Sequence, residues 1–254
     1  MKSEALIRCE QLIPQDLPFD YQGNALDFEL HKGKIISLVG PDYSGKGNWI
    51  RAICGLEQQS SGSITINGSN TEDLTAEQWK MIRMKVAYLH QDTALLSAAN
   101  GLANTLIPAL YHQLDRETDK LQLATQAREL LRQIDEDIDL YELPAYISKE
   151  HCYKIATARA LLLKPDVLAL NNPFAHFNYH SKFHFKAFLE SRVKQGLSLL
   201  MLTQDIPYAI EISDKIIFAS RQGLHYFDSK EAIRDCDIPE VVKFFNRPQN
   251  QIKL

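Results

Sequence analysis

The sequence predicts an α/β fold: a parallel sheet built around a phosphate-binding loop, joined to an antiparallel β subdomain and an inserted helical subdomain. Three observations support this expectation. KIISLVG (34–40) is a β-branched run ending in glycine, and a loop then leads to GNWIRAICGL (47–56), which has helical apolar spacing. Downstream, the short apolar runs DVLAL, LSLLMLT and KIIFAS alternate with helical patterns, as right-handed βαβ units require. Between these two parts, from about Leu95 to Leu143, the pattern is helical throughout, with apolar residues of TDKLQLATQARELLRQIDEDIDL at steps of three and four.

Each remaining element follows in chain order. SGSITING (61–68) alternates apolar and polar residues and ends in Asn-Gly, a hairpin signal. VAYLHQD (86–92) is a short strand, and HCYKIATARALLLKP (151–165) is a helix stopped by Pro165. A helix is expected from about Ser181 to Gln195, and PYAIEIS is helical again before the last predicted strand. The whole chain, 1–254, is expected to form one nucleotide-binding domain, with a helical subdomain at about 95–160 inserted in its core.

Composition excludes several classes. A 45% apolar and 24% charged chain is ordinary for a folded protein, so disorder is not expected. A net charge of −4 gives no basic field for nucleic acid. Cys9, Cys54, Cys152 and Cys236 match no metal spacing and read as reduced thiols. No apolar run approaches the roughly 18 residues of a membrane span, and MKSEALIRCEQ is too polar for a signal peptide. Direct membrane insertion is therefore not expected, and any membrane association would run through a partner.

GPDYSGKG (40–47) fits the phosphate-loop pattern G-x-x-x-x-G-K-[ST] at every place except the last, where Gly47 stands. Gly40 and Gly45 let backbone N–H groups turn toward phosphate oxygens. The helix opening near Lys46 directs its positive end there, and Lys46 adds a full charge. What the loop lacks is the hydroxyl that coordinates Mg²⁺.

The order of motifs resembles the ATP-binding-cassette (ABC) subunit of ABC transporters, a P-loop NTPase, over nearly the whole chain. The resemblance rests on the loop at 40–47, AICGLEQQSSGSITING after it, Gln91 ending VAYLHQ, ISKEH (147–151), ARALLLKPDVLALNNPF and TQD (203–205). DIPYAIEISDKIIF and IPEVVKFFNRP are most similar to the ATPase of Mla/Mce-type lipid-transport systems. The resemblance implies ATP as cofactor, weakly held, contacted by Gly40, Ser44, Gly45, Lys46, Gly47, Asn48 and Gln91. It also implies an integral-membrane permease as partner, a dimer of cassette subunits, and a location on the cytoplasmic face of the inner membrane through that permease. The groove near Gln91 is where such subunits receive the permease's coupling helices.

The departures from the family pattern concern its chemistry. The paired carboxylates that support Mg²⁺ and orient the attacking water align with Asn171 and Asn172, and the switch histidine with Gln204. Binding of Mg²⁺ is therefore in doubt. The Leu-Ser-Gly-Gly signature aligns with Ile147, Ser148, Lys149 and Glu150, followed by His151, and the D-loop aspartate with Asn178. Lys149 and Glu150 remove the freedom of two glycines, and Glu150 brings a negative charge toward a polyanion. Pairing with a competent cassette would leave neither composite site intact. The resemblance, with Gly47, Asn171, Asn172 and Gln204 all altered, implies a degenerate cassette that hydrolyses ATP poorly or not at all and acts structurally or in regulation. One rival is an active ATPase in which Asp42, Asp92 or Asp205 supplies the carboxylate, and another is a soluble interaction protein no longer tied to a transporter.

Three further features compete for a role. His176, His180 and His184 are spaced to line one helix face, a geometry open to Zn²⁺, but solvent-facing histidines beside Phe183, Phe185 and Phe188 are the blander reading, and no metal site is expected. Phe19 and Tyr21 lie where the family places an aromatic against adenine, or else they pack. IPEVVKFF is either an amphipathic helix for a partner or the closing helix of the fold.

Overall fold

The structure is a computed structural model and describes residues 5–112 and 120–246. Among these, the strands are β1 (Ile7–Pro14), β2 (Leu26–Leu30), β3 (Ile35–Val39), β4 (Gln59–Ile66), β5 (Ser69–Asn70), β6 (Val86–Leu89), β7 (Val167–Asn171), β8 (Ser198–Leu202), β9 (Lys215–Ala219) and β10 (Leu224–Phe227). The helices are α1 (Lys46–Ile53), α2 (Ala76–Lys85), α3 (Gly101–Tyr111), α4 (Lys120–Ile134), α5 (Lys149–Leu161), α6 (Tyr179–Lys194), α7 (Ile206–Ile212), α8 (Lys230–Arg234) and α9 (Pro239–Phe245).

The strands form two sheets, ordered β2-β1-β4-β5 and β10-β9-β3-β8-β7-β6. The first is antiparallel. In the second, β9, β3, β8, β7 and β6 are parallel, and β10 turns back antiparallel on β9. β3 and β8 are buried at every residue because both faces of this sheet are covered. Strand alternation divides the core. Ile36, Leu38, Ala169 and Leu200 meet Trp49, Ile50 and Ile53 of α1 together with the inner face of the antiparallel sheet. Leu168, Leu170, Leu199 and Met201 face the other way, onto Tyr153 and Ile155 of α5 and Phe185 and Leu189 of α6. The helices α3, α4 and α5 pack on one another around Leu102, Ala109, Ala127 and Leu162.

The structure confirms the predicted α/β fold with its antiparallel sheet and helical insertion, and it corrects several boundaries. The helix predicted through TDKLQLATQARELLRQIDEDIDL ends at Ile134, and its Thr118 and Asp119 lie outside the described residues. Past Ile134, Asp135 Oδ1 accepts from the Asp137 backbone N–H and Asp139 Oδ1 from that of Tyr141, both at 2.9 Å. Such local carboxylate bonds offer the backbone an alternative to helix. The next helix begins at Lys149, because Ser148 Oγ caps it by accepting from the His151 N–H at 3.0 Å. It ends at Leu161, ahead of Pro165, and Lys164 then turns with φ +52°.

The hairpin predicted at Asn67-Gly68 is present, with positive φ at both residues. The closing segment IPEVVKFF forms α9, whose Val241, Phe244 and Phe245 are buried against Phe218 and Phe227, so it closes the fold; the Arg-Pro that follows lies outside the described residues. Burial pushes the Cys54 thiol up to about 12 and that of Cys9 well above its usual range. No helix among the described residues is long and apolar enough to cross a membrane.

Candidate phosphate-binding site

The loop between β3 and α1 is shaped by two glycines. At Gly40 a Cβ would lie 2.1 Å from the carbonyl oxygen of Ala219, on the adjacent strand β9. At Gly45, φ is +80°, and a Cβ would meet Pro18 Cδ at 2.8 Å and Leu17 Cδ2 at 3.0 Å. Gly45 opens α1, whose first turn directs N–H groups into the loop. Lys46 is buried, and its Nζ donates to the Pro41 carbonyl at 2.7 Å and lies 3.8 Å from Asp42 Oδ1. Burial lowers the Lys46 pKa, with Asp42 acting in the opposite sense. Ser44 is buried, and its Oγ has no protein partner.

A cavity of about 280 Å³ opens here, lined by Ser44, Gly45, Lys46, Gly47 and Asn48 of the loop and by Gln91, Asn171, Asn172 and Gln204 from the ends of neighbouring strands. The structure thus brings together all the sequence-predicted site residues except Gly40, which shapes the loop without lining the cavity. The polar ends of β7 are tied across it. Asn171 Nδ2 donates to Tyr88 Oη at 3.2 Å, and Asn172 Nδ2 donates to Gln91 Oε1 at 3.2 Å. The Asn172 backbone, at φ +50°, donates to the Leu202 carbonyl at 2.7 Å. Gln204 Nε2 reaches Asp42 Oδ1 at 3.4 Å. Among the described residues that line this cavity none is a carboxylate. Gly47 offers no hydroxyl and the two asparagines no anionic oxygen, so this donor set does not fit Mg²⁺, a hard cation that seeks such ligands.

The carboxylates weighed as substitutes stand elsewhere. Asp42 belongs to the loop but its side chain is 74% exposed, and Asp92 is 82% exposed beside His90. Asp205 is held by Lys182 Nζ at 2.6 Å and Lys186 Nζ at 2.7 Å and caps α7. Burial alone would raise its pKa, but the two lysines outweigh burial and hold it below the usual range.

In the segment at 147–151 the charge of Glu150 is paired within the chain. The Glu150 charge turns inward, with Oε1 2.5 Å from Lys154 Nζ, and does not face open solvent. Lys154 is almost fully buried and also meets Asp135 Oδ2 at 2.5 Å. The driving force is electrostatic: a buried ammonium requires compensating carboxylates. Asn178, capping α6, donates to Glu150 Oε2 at 3.5 Å. His151 lies 3.7 Å from Asp135, and the ammonium of Lys154 supplies the positive charge that this cluster of Asp135, Glu150 and His151 needs.

His180 and His184 meet at 3.1 Å on the exposed side of α6, whereas His176 lies in the loop before it. Phe19 is fully exposed, while Tyr21 packs edge-on against Trp49 and donates to the Asn24 carbonyl at 2.6 Å. Residues not anticipated from the sequence are Tyr88, which partners Asn171, and Leu17 and Pro18, which roof Gly45. The two-residue period of VAYLHQ offered a signal for Tyr88, opposite in facing to Ala87 and Leu89. A second cavity of about 280 Å³ lies between α1, β6, α3 and α5, lined by Leu56, Tyr88, Leu89, Pro108, Arg159 and Leu163 among others. Arg159 donates to the carbonyls of Thr93 at 2.7 Å and Ala94 at 2.9 Å, joining α5 to the turn after Gln91.

Comparison with known proteins gives a consistent result. The chain is 26% identical over 213 residues to the sulfate/thiosulfate import ATP-binding protein CysA 2 of Shewanella oneidensis, which covers 84% of this chain but 59% of that protein. It is 23% identical over 196 residues to the glutamine transport ATP-binding protein GlnQ of Escherichia coli, covering 77% of this chain and 80% of that one. In fold it is similar to the ATP-binding cassette MJ0796, solved as a dimer bound to ADP and Pi, with a TM-score of 0.78, 19% identity and coverage of 87% of this chain and 98% of that one. CbiO1 from Clostridium perfringens, part of the ABC transporter complex cbiONQ, gives a TM-score of 0.77 at 16% identity, covering 96% and 95%. The sequence pattern of the ABC transporter family matches residues 24–175, more than half of the chain, and the chain belongs to that family.

Proposed function

We propose that this chain is the ATP-binding subunit of an ABC transporter in which the cassette shape and a phosphate site persist while ATP hydrolysis has been lost. The observation that carries this reading is the cavity itself, where a buried lysine and an unpartnered serine hydroxyl face Asn171, Asn172 and Gln204 with no lining carboxylate among the described residues. An amide keeps a hydrogen-bonding shape but accepts no proton. Loss of general-base catalysis alone costs about 10²- to 10⁴-fold in rate. Gly40, Ser44, Gly45, Lys46, Gly47, Asn48 and Gln91 hold the nucleotide in this reading, and the catalytic positions Asn171, Asn172 and Gln204 are vestigial. The whole chain acts as one nucleotide-binding domain, with residues of about 95–160 as its helical subdomain.

The same reading assigns the second cavity to a coupling helix of an integral-membrane permease, which holds the subunit on the cytoplasmic face of the membrane. Its lining supports this role: an apolar floor of Leu56, Leu89, Pro108 and Leu163 lies beside Arg83 and Arg159, and Arg159 links it to the turn beyond Gln91. A dimer of cassettes is the corresponding assembly, as in the MJ0796 dimer. A lipid cargo rests only on the Mla/Mce resemblance of DIPYAIEISDKIIF and IPEVVKFF. The curated relatives named above are a sulfate/thiosulfate import and a glutamine transport ATP-binding protein, and they lend it no support.

The test is to recover the chain from detergent-solubilised native membranes. The expected result is an integral-membrane partner in fixed stoichiometry. Recovery only in the soluble fraction, with no membrane partner, would contradict the assignment.

A further inference from the structure

The cavity between α1, β6, α3 and α5 carries an unbalanced charge. Two guanidiniums line it, those of Arg83 and Arg159, and among the described residues that line it none is a carboxylate. Most of the remaining wall is apolar, with Leu56, Leu89, Pro108 and Leu163 as its floor. Arg159 directs its donors at two neutral groups, the carbonyls of Thr93 and Ala94. Burial lowers its pKa, and no carboxylate acts in the opposite sense. Arg83 is exposed on α2, with its guanidinium carbon 5.7 Å from the centre of the Trp79 ring. A ring face attracts a cation but does not neutralise it. Arg83 also borders a neighbouring cavity of about 480 Å³, where Glu57 and Glu72 stand. Both are engaged elsewhere: Glu57 Oε1 lies 3.0 Å from Arg51 Nη2, and Glu72 Oε1 accepts from Gln59 Nε2 at 2.8 Å. Among the described residues neither Arg83 nor Arg159 forms an ion pair.

We propose that the element of the membrane partner seated in this cavity carries an aspartate or glutamate among apolar residues, and that its carboxylate pairs with Arg83 and Arg159. The inference rests on the reading that a permease docks here. A purely apolar element would cover the Arg159 charge and leave it uncompensated, which is costly. A basic element would face two like charges. A carboxylate meets both arginines, and a guanidinium carries more N–H donors than the two that Arg159 directs at carbonyls. The apolar floor then supplies buried area, and the arginine pair selects an acidic partner.

The test uses the complex recovered from detergent-solubilised native membranes, with variants at Arg83, because Arg159 also holds the turn after Gln91. Arg83→Glu should lower recovery of the membrane partner by about tenfold or more, with thermal unfolding of the purified chain unchanged. Arg83→Lys keeps the charge and adds a primary amine, so it should retain the partner. Treatment of that complex with a carbodiimide, which joins amines to carboxylates in contact, should link position 83 to an aspartate or glutamate of the partner, read by mass spectrometry. Parental recovery with Arg83→Glu would overturn the proposal. So would loss of the partner from Arg83→Lys as complete as from Arg83→Glu, a retained partner with no link, or a link only to a carboxylate of the chain itself. Each of these leaves the docking assignment standing, whereas failure of the parent chain to bring down any membrane partner would overturn both.

Discussion

Asn172 donates its side-chain amide to Gln91 Oε1 at 3.2 Å, so the two strand ends that would flank an attacking water are joined by a neutral pair. A single restored carboxylate meets neither a Mg²⁺ hydroxyl at Gly47 nor a carboxylate at Asn171. Asn172→Glu should therefore leave phosphate release within about twofold of background, because a general base acts only on a substrate already oriented for it. A continuous phosphate-release assay on the purified variant checks this.

The buried Lys154 gives a prediction whose sign depends on pH. Burial by itself raises the pKa of Asp135 and Glu150, but the hydrogen bonds from Lys154 and neighbouring groups outweigh it and hold both below the usual range. The stability they contribute is complete above the ordinary carboxylate range and is lost as pH falls through their lowered folded-state values. Lys154→Met leaves two carboxylates uncompensated and should cost about 3–5 kcal/mol near neutral pH. Their pKa values then rise, so the variant should lose less stability relative to the parent as pH is lowered from 7.5 toward 5. Urea unfolding at both pH values reads the difference.

Gly45→Ala tests the loop geometry. At φ +80° with Pro18 Cδ 2.8 Å from the new methyl group, the substitution should cost about 1–3 kcal/mol and weaken nucleotide binding. Denaturant unfolding gives the first quantity and titration with ATP the second.

Arg159→Gln removes donors from the Thr93 and Ala94 carbonyls, both on residues with positive φ. Loosening that turn should reduce the membrane partner recovered with the chain by more than about half, since mispositioned contacts lose binding steeply. Quantifying the partner in a detergent pull-down, with the parent as reference, decides it.

The elements that position the site were legible where local pattern and tertiary role agree. KIISLVG and GPDYSGKG encode the strand, the loop and the helix start within a single window. β1 was harder to see, because its pairing register shifts between Cys9 and Leu12 around Gln11 at φ +48°, which breaks the alternation that marks a strand. The end of α4 depended on two aspartates bonding to their own backbone, and that competes with an otherwise good helical pattern. The common placement of Asn171, Asn172 and Gln204 at one cavity was anticipated by motif order, whereas the inward turn of Glu150 required knowing that Lys154 is buried beneath it.

The most direct test of the account is Mg²⁺-dependent phosphate release by the chain recovered with its membrane partner, measured beside the same complex carrying Lys46→Ala. The account predicts that the two are indistinguishable at background. Turnover in the parent complex that Lys46→Ala abolishes would contradict it and would require a catalytic carboxylate from somewhere other than the amides at 171 and 172.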